Sequence, residues 1–389
     1  MICKMNETFQ QDHTSIRRWS NIPKRKWDDW HWQLQNVVKS TEELQQTLPE
    51  LPQLPTGPAI SEITRTFEMK LTPQVVLNIY RALKSEDVSG LNALMATFVP
   101  CVNELPRVEG IEDGIGEEIE SSKPAPLLTN FYKTRVLLFA TNMCASHCRF
   151  CFRRRKIGDK VVKPISLKMF QKAIDYIRQD EKIREVIVSG GDPLIMGDKM
   201  LFSLLQRLKE IEHVHVLRID TKVLTVLPQR ITLKFVKELE KFKPIYIVGN
   251  FLHSVELTPE TINAISMLIN VGIPIFAHIA LLHGINDDPK IIGDLVWNLY
   301  VNRVVPYYLI QFIPTKWTEH FRVPVEKGLE IMEYLHGPFP GIANPTYIIY
   351  LPHGGGKVPI LPNYIVKHTK EGYLLRNWEG KIFLYPEPS

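Results

Sequence analysis

Cysteine is scarce, with 5 among 389 residues, an odd count far below the density of a disulfide-stapled scaffold. Bridges therefore do not organise this chain. Net charge is equally slight: 47 Lys and Arg against 42 Asp and Glu give +5, so composition demands neither a nucleic-acid partner nor a membrane surface. An anionic small molecule suits it equally well. The most apolar stretch, Ile262 to Leu282, is broken by Asn263, Ser266, Asn270, Gly272, Pro274 and His278, which disfavours a membrane span and reads as helix, turn and strand. The opening MICKMNETFQQDHTS has no apolar signal core and no small-residue cleavage site, and a cytoplasmic location is expected. Neither an internal repeat nor a low-complexity tract is present.

What is there is a globular balance, 44% hydrophobic and 23% charged, sized for one large domain or a large and a small one. Residues 1 to 125 read as helical and irregular, with Trp27, Trp30, Leu34, Val37 and Val38 at helical spacing and a further helix over Pro73 to Ser85. Lys24 to Lys26 beside tryptophans could hint at nucleic acid, but tryptophans on one helical face are more often packing residues. The acidic, Gly-, Ser- and Pro-rich stretch Gly110 to Pro126 reads as a connector. Beyond it, apolar strands are expected near Val136 to Ala140, Glu185 to Val188, Val214 to Ile219, Tyr246 to Phe251, Ile273 to Ala280 and Tyr307 to Phe312. Helices between them start at Ser166 and at Thr258-Pro259, as a capping hydroxyl and a first-turn proline require. Six βα units in series predict an α/β fold with a parallel sheet, open or curled into a partial barrel.

Three of the five cysteines fall within eight positions as Cys144, Cys148 and Cys151, directly after the first of those strands, at the end of the sheet where α/β sites are built. Three thiolates can hold three irons of a [4Fe-4S] cluster and leave the fourth open. A zinc site would need a fourth ligand, with His147 the nearby candidate, but no second Cys or His pair follows at zinc-finger distance. The CxxxCxxC spacing, with Phe150 before the last cysteine, resembles the radical S-adenosylmethionine (SAM) enzymes. The resemblance implies that SAM chelates the open iron and is cleaved by one electron to a 5′-deoxyadenosyl radical. It also implies that the segment Ser189, Gly190, Gly191 and Asp192 receives the SAM amino group. Glycines there would let backbone approach the ligand closely.

Near the C-terminus stands Pro352-His-Gly-Gly-Gly-Lys357. It is not a Walker loop, because Leu351 and Val358 stand where a glycine and a hydroxyl residue are required. A lysine in such a loop can form an imine with an aldehyde cofactor. From Trp30-His-Trp-Gln-Leu-Gln through Val226-Leu-Pro-Gln-Arg-Ile-Thr232, Pro306-Tyr-Tyr and Glu319-His-Phe-Arg to Leu375-Arg-Asn-Trp-Glu-Gly380, the chain resembles the lysine 2,3-aminomutase family, radical SAM enzymes that also use pyridoxal 5′-phosphate (PLP). Membership implies a partial (βα)6 TIM-like barrel over 126–340, a helical N-terminal region and linker over 1–125, and a C-terminal PLP-lysine segment over 341–389.

By the same resemblance Lys357 carries PLP as a Schiff base, and Arg153 binds the substrate carboxylate, a task suited to a guanidinium. The implied reaction abstracts a hydrogen from the β-carbon of a PLP-bound amino acid. The nitrogen then migrates through a three-membered ring to that carbon. The expected partners are a free amino acid and a one-electron reductant such as flavodoxin or ferredoxin; homo-oligomerisation is left open. Two departures bear on specificity and cofactor. Ile313 and Tyr350 stand where lysine-specific members carry aspartates, so a neutral, apolar or aromatic substrate side chain is expected, with Lys316 keeping glutamate open. Phe131 stands where an arginine holds the PLP phosphate, and Arg135 is the expected substitute. The competing readings are modification of a protein- or tRNA-bound residue, and a non-catalytic protein with a structural cluster.

Overall fold

The computed structural model describes residues 11–105, 110–158, 165, 167–313 and 315–386. Cys3 and the expected helix cap Ser166 lie outside them. Twelve strands are present among the described residues: β1 Leu128–Tyr132, β2 Arg135–Thr141, β3 Glu185–Gly190, β4 Val216–Thr221, β5 Ile245–Asn250, β6 Ile275–Leu281, β7 Val305–Gln311, β8 Thr346–Leu351, β9 Gly356–Pro359, β10 Ile365–Thr369, β11 Gly372–Arg376 and β12 Ile382–Pro386. The first nine form one sheet in sequence order. β2 to β8 are parallel neighbours, while β1 and β9 pair antiparallel at the two edges. Helices such as Leu167–Gln179, Asp198–Lys209, Pro259–Asn270 and Pro289–Val301 make the crossovers, which parallel pairing requires. β1 and β9 are not bonded to one another, so the sheet curls as a partial barrel. All six expected strands are found within about two residues. The expected helix start at Thr258 is also real, since Thr258 Oγ1 accepts from the Thr261 amide. β10 to β12 form a separate three-stranded sheet.

The N-terminal helices share the barrel's core. One hydrophobic cluster runs from Ile16, Trp19, Trp27 and Trp32 through the helix Pro73–Lys84 and the barrel strands to Tyr347. Trp27 meets the His13, Trp19 and Trp32 rings at 4.4, 5.5 and 5.7 Å, which makes these tryptophans packing residues. Within the helix Pro73–Lys84, residues 73 to 82 are all buried. Thr72 caps it by accepting from the Val75 amide and donates its own hydroxyl to the Val226 carbonyl. The helical region is thereby fastened to the barrel beside the cysteine segment. No helix among the described residues is long and apolar enough to cross a membrane.

Candidate active site at the barrel mouth

Strand alternation sends every second side chain inward. Leu137, Ile187, Ser189, Arg218, Asp220, Asn250, His278, Ala280 and Ile310 line a single cavity of about 260 Å³. The same cavity is lined by all three cysteines of the cluster motif and by Phe150, Gly190, Gly191, Asp192, Arg135, Arg153, Ile313, Tyr350 and Lys357. These candidate cofactor and substrate residues therefore reach one place, whereas Lys316 does not line it and pairs with Glu112 instead.

The cysteine segment leaves β2 and is held by the N-terminal region. The amides of His147 and Arg149 donate to the Lys70 and Thr97 carbonyls at 2.9 and 2.7 Å, and Ser146 Oγ accepts from the Thr72 amide. Arg149, between two of the cysteines' neighbours, is fully buried and donates from both edges to Glu104 at 2.8 and 2.7 Å. Arg154 shares that carboxylate at 2.9 Å. His147 donates from Nδ1 to the Glu68 carbonyl and stacks on Phe67. Among the described residues no three Cys, His, Asp or Glu side chains converge as a single ion requires. A four-iron cube instead spreads its thiolates over separate irons, and three thiols around one cavity suit it. Burial raises all three thiols, Cys148 to about 12, so binding a cluster there must displace thiol protons.

Gly190 and Gly191 have a reason for being glycine within the chain itself. Gly190 lies at φ +125°, and a Cβ on Gly190 or Gly191 would strike the Thr141 or Met143 carbonyl oxygen. The backbone they bring close is the chain's own, at the entry to the cysteine segment. Asp192 likewise serves the scaffold: its carboxylate accepts from Thr221 Oγ1 and from the amides of Leu194, Lys222 and Val223. Burial still pushes it up to about 6.

The glycine loop is the turn of the β8–β9 hairpin, with Gly354 and Gly356 at positive φ. It places Lys357 opposite Tyr350 in register. Lys357 Nζ lies 4.7 and 5.2 Å from the Tyr308 and Tyr350 ring centroids. Burial first, then Arg218, lowers its ammonium to about 8, which frees a substantial share of nucleophilic amine near neutral pH. Arg135 stacks on Tyr132 at 3.9 Å and faces the same cavity. A buried amine of lowered basicity beside guanidinium groups suits an aldehyde-bearing phosphate ester.

Arg153 does not stand free for a carboxylate. Its Nε and Nη2 donate to Glu117 at 3.0 and 2.5 Å, and Nη1 donates to Ser189 Oγ and the Gly190 carbonyl. Only one of its five N–H groups lacks a partner in this arrangement. Glu117 belongs to the segment read as a connector. In the structure that segment crosses the barrel mouth: the Ile111 carbonyl accepts from the Lys316 amide and the Ile115 carbonyl from the Gly354 amide. Sequence reasoning missed Glu104, Glu117 and Asp220, isolated carboxylates with no motif to announce them.

The family described as the Radical SAM superfamily matches residues 138–295, and that described as Lysine-2,3-aminomutase matches residues 332–389. L-lysine 2,3-aminomutase of Bacillus subtilis is 37% identical over 374 residues, covering 96% of this chain and 77% of that protein. The L-lysine 2,3-aminomutase of Clostridium subterminale is 37% identical, covering 93% and 85%. Glutamate 2,3-aminomutase of Clostridioides difficile is 38% identical, covering 93% and 83%. These relatives are named for charged substrates, so the expectation of a neutral side chain gains no support from them.

Proposed function

The chain belongs to the lysine 2,3-aminomutase family of radical SAM enzymes, and on that premise we propose that it moves the amino group of a free α-amino acid from the α- to the β-carbon. Its relatives are 2,3-aminomutases, which are isomerases. When bound, the [4Fe-4S] cluster and SAM supply a carbon-centred radical, and PLP supplies an electron sink for the migrating nitrogen. This chain's residues supply the positions. Cys144, Cys148 and Cys151 would hold three irons. Ser189, Gly190 and Gly191 lie at the cavity wall and would form the turn that receives SAM, with Asp192 fixing that turn to Thr221 at the end of β4, and Phe150 in the same lining. Lys357 would hold PLP through its aldehyde and Arg135 would take the phosphate. Arg153 meets the substrate carboxylate by sharing or exchanging its contact with Glu117.

The observation that carries this reading is the convergence of three thiols and a lysine lowered to about 8 on one cavity. Lysine and glutamate, the substrates in the relatives' names, are the substrates to assay first, with neutral amino acids beside them as the reading of Ile313 and Tyr350 requires. Borohydride reduction of PLP-loaded protein followed by peptide mapping is expected to place the adduct on Lys357, and Ala at any of the three cysteines to abolish the cluster. An adduct on another lysine, or a full iron complement in the cysteine variants, would sink the assignment.

A further inference from the structure

A second cavity, of about 460 Å³, lies among the described residues at the opposite end of the barrel. It is lined by the first residues of the parallel strands, Glu185 of β3, Val216 of β4, Tyr246 of β5, Phe276 of β6 and Tyr307 of β7, whereas the cysteine segment follows the last residue of β2. Arg184 and His215, both exposed, stand at its rim. The two cavities share one lining residue, Arg218. Its Nε lies 3.4 Å from Asp220 yet is buried without a hydrogen bond, and its Nη1 lies 3.5 Å from Glu185. Long ion pairs of that kind restrain a side chain weakly. Arg149, by contrast, is fixed to Glu104 at 2.8 and 2.7 Å.

The amine of Lys357 lies close to this end. Tyr307, on the wall of the second cavity, stacks on Tyr308 with ring centroids 3.8 Å apart, and the Tyr308 centroid is 4.7 Å from Lys357 Nζ. The charges acting on that amine include Arg218, Arg135 at the start of β2 and Glu185 of the second cavity. Arg218 and Tyr307 thus form the partition between the amine and the second cavity. The mouth, by contrast, is crossed by the segment around Glu117, which is tied to Lys316, Gly354 and Arg153. A molecule entering there after the cluster and SAM would have to pass both.

We propose that the second cavity is the port through which PLP reaches Lys357, with Arg218 as its gate, so that this cofactor loads from the end of the barrel opposite the cluster and SAM. The proposal rests on the aminomutase reading. The passage suits a flat, phosphate-bearing ring. Arg184 at the rim, Arg218 at the partition and Arg135 in the first cavity offer successive guanidinium groups to an anion. Tyr246, Phe276 and Tyr307 form an aromatic wall, with successive centroids 5.9 and 5.7 Å apart, along which a planar ring can slide. Glu185 offsets the charge of Arg218, which keeps the phosphate from stopping at the gate.

The test follows PLP capture by full-length protein through the visible absorbance of lysine-bound cofactor, without reductant or amino acid. Wild type already carrying cluster and SAM is expected to capture PLP within ~2-fold of the rate of cluster-free protein, because the mouth is not its path. V216W narrows the port and is expected to slow capture by the loaded protein at least ~10-fold while leaving the PLP bound at equilibrium unchanged, since a path sets rates and not affinity. R184E is expected to slow capture as well, most at low salt, where the rim charge is least screened. Capture by wild type that falls ~10-fold once cluster and SAM are in place overturns the port even if V216W proves insoluble. Wild-type rates in both V216W and R184E, or lost equilibrium binding at an unchanged rate, also overturn it while leaving the aminomutase reading intact. Absence of lysine-bound PLP from every protein overturns both.

Discussion

Replacing Glu104 with Gln perturbs the joint between the helical region and the cysteine segment. Glu104 is completely buried and faces two guanidinium groups, Arg149 at 2.8 and 2.7 Å and Arg154 at 2.9 Å. An amide keeps the shape but removes the charge and one of the two acceptor oxygens, so Arg149, which also donates to the Phe67 and Glu68 carbonyls, loses its counter-charge and part of its hydrogen bonding. Breaking a buried ion pair from one side costs ~3–5 kcal/mol because the remaining charge is uncompensated. For a chain of this size that corresponds to a fall of roughly 4–6 °C in the thermal midpoint. Burial pushes the Glu104 carboxyl up, but Arg149 and Arg154 outweigh it and hold it below its ordinary 4.5. The wild-type advantage is therefore fully present above pH 4.5 and lost as pH falls through the depressed value. Because Arg149 follows Cys148 directly, the variant should also bind less iron. The assay is anaerobic thermal unfolding with iron counts, for E104Q and for E104M/R149M, which removes the like charge that, after burial, lowers Arg154 to about 10. The double variant should be more stable than the sum of its single changes. A midpoint for E104Q within 1 °C of wild type would refute the reasoning.

Lys357 should give a pH signature. With its ammonium at about 8 instead of 10.5, PLP capture by cluster-free protein should quicken as pH rises through 8, and a rate independent of pH between 7 and 9 would contradict this. The buried ammonium also burdens the fold fully below about pH 8 and is relieved as pH climbs toward 10.5. Lys357→Met should accordingly be more stable than wild type at pH 7, with the difference shrinking above 8, as denaturant titration at several pH values would measure. Gly191→Ala places a methyl on the Met143 carbonyl. It should shift the cysteine segment and lower iron content at least ~10-fold, a steric cost in a packed interior; a normal complement would show that the turn yields.

Much of the barrel was legible because each strand is a short apolar run between helices with ordinary caps, as at Thr258-Pro259. The cysteine motif was legible because spacing along one loop survives folding, and Cys144, Cys148 and Cys151 all line one cavity. β8 and β9 went unread because the glycine loop between them drew attention as chemistry, although it is also the hairpin turn that aims Lys357. The C-terminal sheet was missed because its residues, among them Ile382, Phe383, Leu384 and Tyr385, are largely exposed, so no buried face imprints alternation. Arg153 to Lys156 are four consecutive basic residues, a pattern usual for a solvated face, yet Arg153 and Arg154 are buried against Glu117 and Glu104. Those partners lie 36 and 50 residues away. Pairings at such separation are created by the topology and leave no local pattern. The same holds for Asp220, which reads as one more polar residue at a strand end until the curl of the sheet turns it inward.

The most direct test of the account is product analysis with protein carrying four irons and PLP, reduced in the presence of SAM and an amino acid deuterated at its β-carbon. The account predicts a β-amino acid, formed only with both SAM and PLP, together with deuterium in the 5′-deoxyadenosine released or in the product. Intact cofactors with no β-amino acid from any standard amino acid would contradict it.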